Sequence, residues 1–490
     1  MTSLSATTLP TLATRGITTP IYDRTALIPG VVHLGLGAFH RAHQALVFDA
    51  LLAGGDSRWG VFGVAMRSTQ LAAALAAQDG LYAVQIASHE GTRWQIPGAM
   101  LGTCVLAQGA QPVIDALAAP STRWVTLTVT EKGYTPALSA LLVQGLAARQ
   151  RAGQPGLTIA SCDNLSYNGR RLQADCLAAA LALDPALAHW IGNTCTFPNS
   201  MVDRIVPAAT PERLQAARNT LGVNDAAALG TEGFWEWVIE RRFVDDLDAQ
   251  ALTRVGVTVV DDVQPFEEAK LRLLNGSHSA MACIGAVTGM PTICDCISHP
   301  FVHRFVRTLM TKEVAPHLQR PDWQTYRDAL LARFANPELK HRVHQIATDC
   351  SQKIPQRWPP SAELQLRAGA SIDHLAFSAA AWMRYLEGVD ERGCTYPLND
   401  PLAEPLQALA LKHANNPAAG VRALSAFPDI WGDVLSKSAP WQSRVTQWLT
   451  QIKAQGLLAA MGQLNNQPTH TLRPSRPLQK KAPTEPLHPL

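Results

Sequence analysis

Residues 30–40 read "GVVHLGLGAFH", and the order of residue types in that stretch decides the fold. Val31 to Leu34 is a short, β-branched apolar run that stops at Gly35 and Gly37. The continuation "HRAHQALVFDALLAGG" (residues 40–55) has apolar residues at helical spacing and a glycine stop, so the segment spells strand, turn, helix. Two glycines at such a turn let a dinucleotide pyrophosphate approach bare main chain beside the start of a helix. The third glycine of the usual G-x-G-x-x-G is His40, so any tight strand-to-helix turn fits the pattern as well.

Working outward, "RWGVFGVAMR" (58–67), "STRWVTLTVTEKGY" (121–134) and "GLTIASCDN" (156–164) read as further strands. Helical stretches at 69–78 and 137–152 separate them, which implies a largely parallel, doubly wound α/β sheet of Rossmann type. The second strand ends in Arg67-Ser68-Thr69, where an NAD-binding chain usually places an acid on the ribose. An arginine and a serine there tolerate a 2′-phosphate, so NAD and NADP both stay open, as does a merely solvated strand end.

From Pro265 onward the pattern changes to long helical segments: 266–287, 301–313, 323–334 and 371–386. The organisation expected is therefore a lead-in (1–25), a Rossmann-like domain (26–262), a mostly α-helical domain (263–464) and a disordered Pro-rich tail (465–490). At 490 residues the chain exceeds one ordinary core. Its 47% hydrophobic and 17% charged residues are globular usage, and a net charge of +3 gives no electrostatic case for nucleic acid or an anionic membrane. Nine scattered cysteines with no apolar leader point to free thiols and the cytoplasm. Apolar runs are broken well before the roughly 18–20 residues of a membrane helix.

"KLRLLNGSHS" (270–279) sets three polar residues into an apolar helix. On a wheel at about 100° per residue with Lys270 at zero, Glu267, His278 and Asn275 fall near about 60°, 80° and 140°. A desolvated lysine among them can take a proton, an asparagine can donate to a carbonyl or alkoxide, and a histidine can orient a hydroxyl. An exposed Glu267–Lys270 ion pair and a helix bend at Asn275-Gly276 fit equally well. "CDCISHPFVH" has Cys294, Cys296, His299 and His303, but its C-x-C spacing is tight for zinc and Pro300 interrupts it. His40 and His43 have no acid or thiol partner nearby in sequence. No metal is expected.

Several blocks together, "VVHLGLGAFHRAHQA", "TLTVTEKGY", "SCDNL", "FPNSMVDRIVPAATPE", "PFEEAKLRLLNGSHS" and "IATDCSQKIPQR", resemble the mannitol dehydrogenase family of polyol-specific long-chain dehydrogenases. The resemblance implies metal-independent hydride transfer between a secondary alcohol and a nicotinamide, with Lys270 as general base, Asn275 and Asn164 as oxygen-binding amides and His278 as substrate contact. It implies Glu267 as the acid of proton release and Asp203 as a substrate-site acid. Cofactor contacts would be Gly35, Gly37, Ala38, Phe39, Arg67 and Glu131, with NAD expected and NADP open.

The family's polyol branch carries Arg and His where this chain has Gln345 and Thr348. "QIATDCSQKIPQR" instead resembles the fructuronate reductase (mannonate oxidoreductase) branch, which makes Lys353 and Arg357 candidates for a substrate carboxylate. Two departures bear on the substrate: only Thr135 to Ala160 separate "EKGY" from "SCDN", a short span for the family, and Cys350 replaces a usual glycine. The expected activity is interconversion of a sugar acid such as D-mannonate with its ketouronate. A polyol dehydrogenase is the alternative, and a non-catalytic dinucleotide sensor the alternative of another class. The partner expected is a small sugar acid or polyol, bound by a monomer or weak homo-oligomer.

Overall fold

The computed structural model describes residues 2–88, 91–207, 210–339 and 341–466. The chain forms two compact units, one comprising Met1–Lys270 and Gln319–His341, the other Leu271–Leu318 and the chain from Arg342 on. The segment Gln319–His341, which the helical pattern groups with the second domain, belongs to the first unit. No described helix is long and apolar enough to cross a membrane.

In the first unit, β1 (Pro29–Leu34), β2 (Gly60–Ala65), β5 (Met100–Val105), β6 (Trp124–Leu127) and β7 (Thr158–Ser161) form one sheet in the order β5-β2-β1-β6-β7. Every pairing in it is parallel. β1 is central, and the chain builds outward first to one side and then to the other, so the strand order reverses between β1 and β6. Helices on both faces explain why these strands are apolar on both sides. Val31, Val61 and Trp124 pack into one core, whereas Val32, Leu34, Val64 and Val125 pack into the other.

Two smaller sheets were not legible in the sequence pattern. β3 (Val84–Ser88) pairs antiparallel with β4 (Gly91–Gln95) and parallel with β9 (Leu229–Glu232). β10 (Glu236–Glu240) joins β8 (Ser200–Asp203) to β11 (Thr258–Val260). These strands are three to five residues long, too short to show a period. Their polar ends, Asp203 and Glu232, are nevertheless buried.

The second unit is helical. Helices Gly276–Thr288 and Asp373–Tyr385 pack on each other and are buried along nearly their whole length. The carboxylate of Glu313, 1% exposed, accepts from the main-chain N–H groups of His374 and Leu375 and from His374 Nδ1. It thereby satisfies the orphan donors at the start of the second of these helices. Of the expected tail, Asn465 and Asn466 end the helix Leu457–Asn466 instead; residues 467–490 lie outside the described chain.

At the end of β1, Gly35 has φ +99°, and a Cβ there would collide with the Thr128 carbonyl. Gly35→Ala is therefore expected to lower stability by about 1–3 kcal/mol from backbone strain alone. Thermal unfolding measures this; a variant melting with the wild type would show that β1 and the chain after β6 can separate at this point.

Candidate active site

The glycine turn is held from below. The N–H groups of Gly35 and Leu36 both donate to the Val64 carbonyl, 3.0 Å each. Gly37 caps a five-residue helix, Ala38–Ala42. His40, in the place of the third glycine, stacks on His33 with ring centroids 3.4 Å apart. The close helix-to-strand approach that a glycine ordinarily permits is made here by two flat rings. Burial pushes His33 and His43 down to about 3 and His40 well below its ordinary value, so all three rings are neutral. Phe39 lies against His43, with ring centroids 5.1 Å apart. Arg67 and Glu131 are exposed, and the Ser68 hydroxyl accepts from Leu71 N–H to start the helix Thr69–Ala77. The bare turn, open beside Gly37 and closed to any side chain at Gly35, suits a dinucleotide backbone.

Lys270 ends the first unit and is 5% exposed. An exposed ion pair is thus excluded for it. Its ammonium donates to Asn164 Oδ1, which leaves the Asn164 amide nitrogen as the donor available to a substrate oxygen. Glu267, on the helix Gln264–Ala269, accepts from Tyr167 N–H at 3.4 Å. Burial raises its carboxyl, against the pull of Ser166, Tyr167 and Lys270.

Asn164 owes its place to residues the sequence did not single out. Asp163 accepts from Thr130 N–H (2.8 Å), Val129 N–H (3.1 Å) and the Tyr134 hydroxyl (3.1 Å). It so ties the loop after β7 to the loop after β6, where Thr130 adopts φ +65°. The Asn168 amide donates to the carbonyls of Ser161, Asp163 and Ser200 at 2.8–3.2 Å.

Asp203, the last residue of β8, is 1% exposed. Arg333 grips it through two N–H groups at 2.8 and 2.7 Å, and the Tyr326 hydroxyl donates to it at 2.6 Å. These take three of its roughly four acceptor positions. Burial raises its carboxyl, but Arg333, Lys270 and Tyr326 outweigh that and bring it to about 2. Arg333 lies 101 and 130 residues from its two carboxylate partners, Glu232 and Asp203, so no local motif announces it.

In the second unit, Asn275 and His278 are 9% and 6% exposed. Lys270–Asn275 is a π-turn, not α-helix. A π-turn is wound more loosely than an α-helix, with i→i+5 in place of i→i+4 hydrogen bonds, so the 100° wheel does not apply across it and residues five apart fall closer in phase than on an α-helix. Such a turn frees main-chain carbonyls. Arg357 donates to the Asn275 carbonyl (3.1 Å) and the Ser279 hydroxyl (2.6 Å), and the Trp358 indole to the Gly276 carbonyl (3.0 Å). Lys353 donates to the carbonyls of Ile346 and Thr348. Cys296 is buried with its thiol toward the Met281 carbonyl, and His299 Nδ1 accepts from Phe301 N–H. Among the described residues no three His, Cys, Asp or Glu side chains gather as a metal site.

Two family models match the chain: the mannitol dehydrogenase Rossmann domain over residues 29–249 and the mannitol dehydrogenase C-terminal domain over residues 262–453. The D-mannonate oxidoreductase of Escherichia coli (strain K12) is 39% identical over 93% of this chain and 98% of its own length. The mannitol 2-dehydrogenase of Phaeosphaeria nodorum is 35% identical over 92% of this chain and 84% of its own. Among solved structures, the Pseudomonas fluorescens mannitol 2-dehydrogenase in ternary complex with NAD and D-mannitol superposes with a TM-score of 0.85. It is 30% identical, over 95% of this chain and all of that one.

The Asp163 clamp has a signature in pH. Burial is the largest cause that pushes its carboxyl up to about 6 from 3.8, against the pull of Thr130, Val129 and Tyr134. The fold therefore holds this proton more tightly than the unfolded chain does. Its contribution to stability is complete below pH 3.8 and is lost as pH rises through about 6. Asp163→Asn removes that titration, so the fall in melting temperature between about pH 4 and 7 should be smaller than in the wild type. An unchanged slope would contradict it.

Proposed function

Because the chain belongs to the mannitol dehydrogenase family and is an NAD-dependent dehydrogenase acting on a CH–OH group, we propose that its substrate is a sugar acid, interconverted as D-mannonate and D-fructuronate are. Support for a sugar acid over a polyol comes from "QIATDCSQK", with Gln345 and Thr348 in place of the polyol branch's Arg and His. The 39% identity to a D-mannonate oxidoreductase points the same way. Lys353 and Arg357 are the cations assigned to the carboxylate. The likeness to mannitol 2-dehydrogenases keeps a polyol as the second reading.

The chemistry rests on the hydrogen bond between Lys270 and Asn164. In the direction of oxidation, neutral Lys270 takes the proton of the substrate hydroxyl, and burial favours that neutral form beforehand. The amides of Asn164 and Asn275 hold the oxygen as charge develops on it. His278 orients the hydroxyl, Asp203 takes a second substrate hydroxyl with its remaining acceptor position, and Glu267 passes the proton from Lys270 to solvent. NAD would supply the hydride acceptor, and Gly35, Gly37, Ala38, Phe39, Arg67 and Glu131 are the residues that would hold it. No metal takes part in this reading. None of the nine cysteines is in a disulfide, which fits a reducing cytoplasm, and a monomer or weak homo-oligomer is the assembly proposed.

Oxidation of NADH and NADPH against a panel of ketouronates and ketohexoses tests the reading. Turnover is expected with ketouronates and NADH. Turnover of fructose alone would make the enzyme a polyol dehydrogenase; tight NADH binding with no turnover would leave a sensor. Lys270→Ala is expected to lower kcat at least about 10²-fold while NADH affinity stays nearly unchanged. A variant at wild-type rate would remove the lysine from this role.

A further inference from the structure

A buried charge cluster stands behind the base. Arg333 is 7% exposed, and its guanidinium joins two carboxylates that are 1% and 2% exposed, Asp203 and Glu232. Toward Glu232 it donates through Nε and Nη2 at 2.8 Å each. Its plane lies over the Phe234 ring, 4.0 Å from the centroid. Glu232 also accepts from Ile205 N–H at 2.5 Å. Its oxygens thus face N–H donors only, the pattern of an ionised carboxylate. Burial pushes the Glu232 carboxyl up while Arg333 and the Ile205 N–H pull it down, and Arg204, which donates to the Glu232 main-chain carbonyl, is a second guanidinium beside it.

The helix Gln264–Ala269, which delivers Lys270, packs on β8, which delivers Asp203. The charges of Lys270 and Asp203 act on one another and both act on His43. The titratable groups around the lysine are Glu267 on the preceding helix, Asp203 on β8 and neutral His43 after the glycine turn. Around Asp203 stand Arg333 and Tyr326 on the helix Trp323–Phe334, Glu232 on β9 and Glu236 on β10. Glu236 is neutralised by its own bidentate partner, Arg320, at 2.8 and 3.0 Å.

An uncompensated carboxylate beside a buried lysine would hold it as ammonium and disable it as a base. We propose that Arg333 is the positioning residue of the Lys270 base: it fixes Asp203 and cancels enough of that carboxylate's field for the lysine to release its proton near neutral pH. This rests on the reading of Lys270 as general base.

The test is the pH profile of kcat/KM for alcohol oxidation in Arg333→Met, Glu232→Gln and the double variant. Arg333→Met exposes Lys270 to both carboxylates, so the controlling ionisation should move about 1 pH unit to the alkaline side. Glu232→Gln removes one negative charge from the same guanidinium and should move it to the acid side, with the double variant between the two. A merely structural arginine would lower rates without moving the ionisation in opposite directions, and that result would overturn the proposal. If Arg333→Met does not fold, the sign of the Glu232→Gln displacement decides. The same displacement is read without turnover from the pH dependence of Lys270 acetylation by acetic anhydride, followed by peptide mass. Opposite shifts there in an enzyme that turns over no alcohol would uphold Arg333's effect and sink only the catalytic reading.

Discussion

A side chain at position 35 and the carbonyl of Thr128 cannot share one space. Because residue 35 is a glycine, the end of β1 can lie against the chain leaving β6, at the point where the strand order reverses. In an open parallel sheet this is where the loops diverge and a crevice forms beyond the strand ends. The rest follows from that placement: the glycine turn lies on one side, and the loop that Asp163 ties to Thr130 on the other. From that second loop Asn164 reaches Lys270.

The first unit also buries an unusual amount of charge. Asp203, Glu232, Arg333, Arg204 and Arg320 are all under 9% exposed. Isolated, each would be costly; Arg333 satisfies Asp203 and Glu232, Arg320 pairs with Glu236 and Asp322, and Arg204 donates to the main-chain carbonyls of Ala42 and Glu232. Replacing such a cluster by apolar residues is often neutral for stability. Its presence next to a candidate base therefore makes more sense as control of a proton than as cement for the fold.

The second unit meets a different demand. A π-turn at Lys270–Asn275 alters helical phase, but it leaves carbonyls that need donors. Arg357 and Trp358 supply them. Arg357, read from the sequence as a cation for a substrate carboxylate, therefore also has structural work at the helix that carries Asn275 and His278. Lys353 likewise holds the end of the short helix Val343–Ile346 through the carbonyls of Ile346 and Thr348.

Residue order alone determined the parallel sheet, because β1, β2, β6 and β7 are buried on both faces and so appear as short, mainly apolar runs separated by helical stretches. It determined the glycine turn as well, since only a residue without Cβ fits there, and it marked Lys270, Asn275 and His278 as polar intrusions into a buried helix. Tertiary structure decided what short strands and long-range pairs decide: the two small sheets, the return of Gln319–His341 to the first unit, and the stacking on His33 of His40, which stands where a glycine was expected. It also decided the phase across the π-turn and the grip of Arg333 on Asp203 and Glu232. Periodicity reports a residue's burial over a few turns; it carries no record of a guanidinium and two carboxylates that meet from more than a hundred residues away.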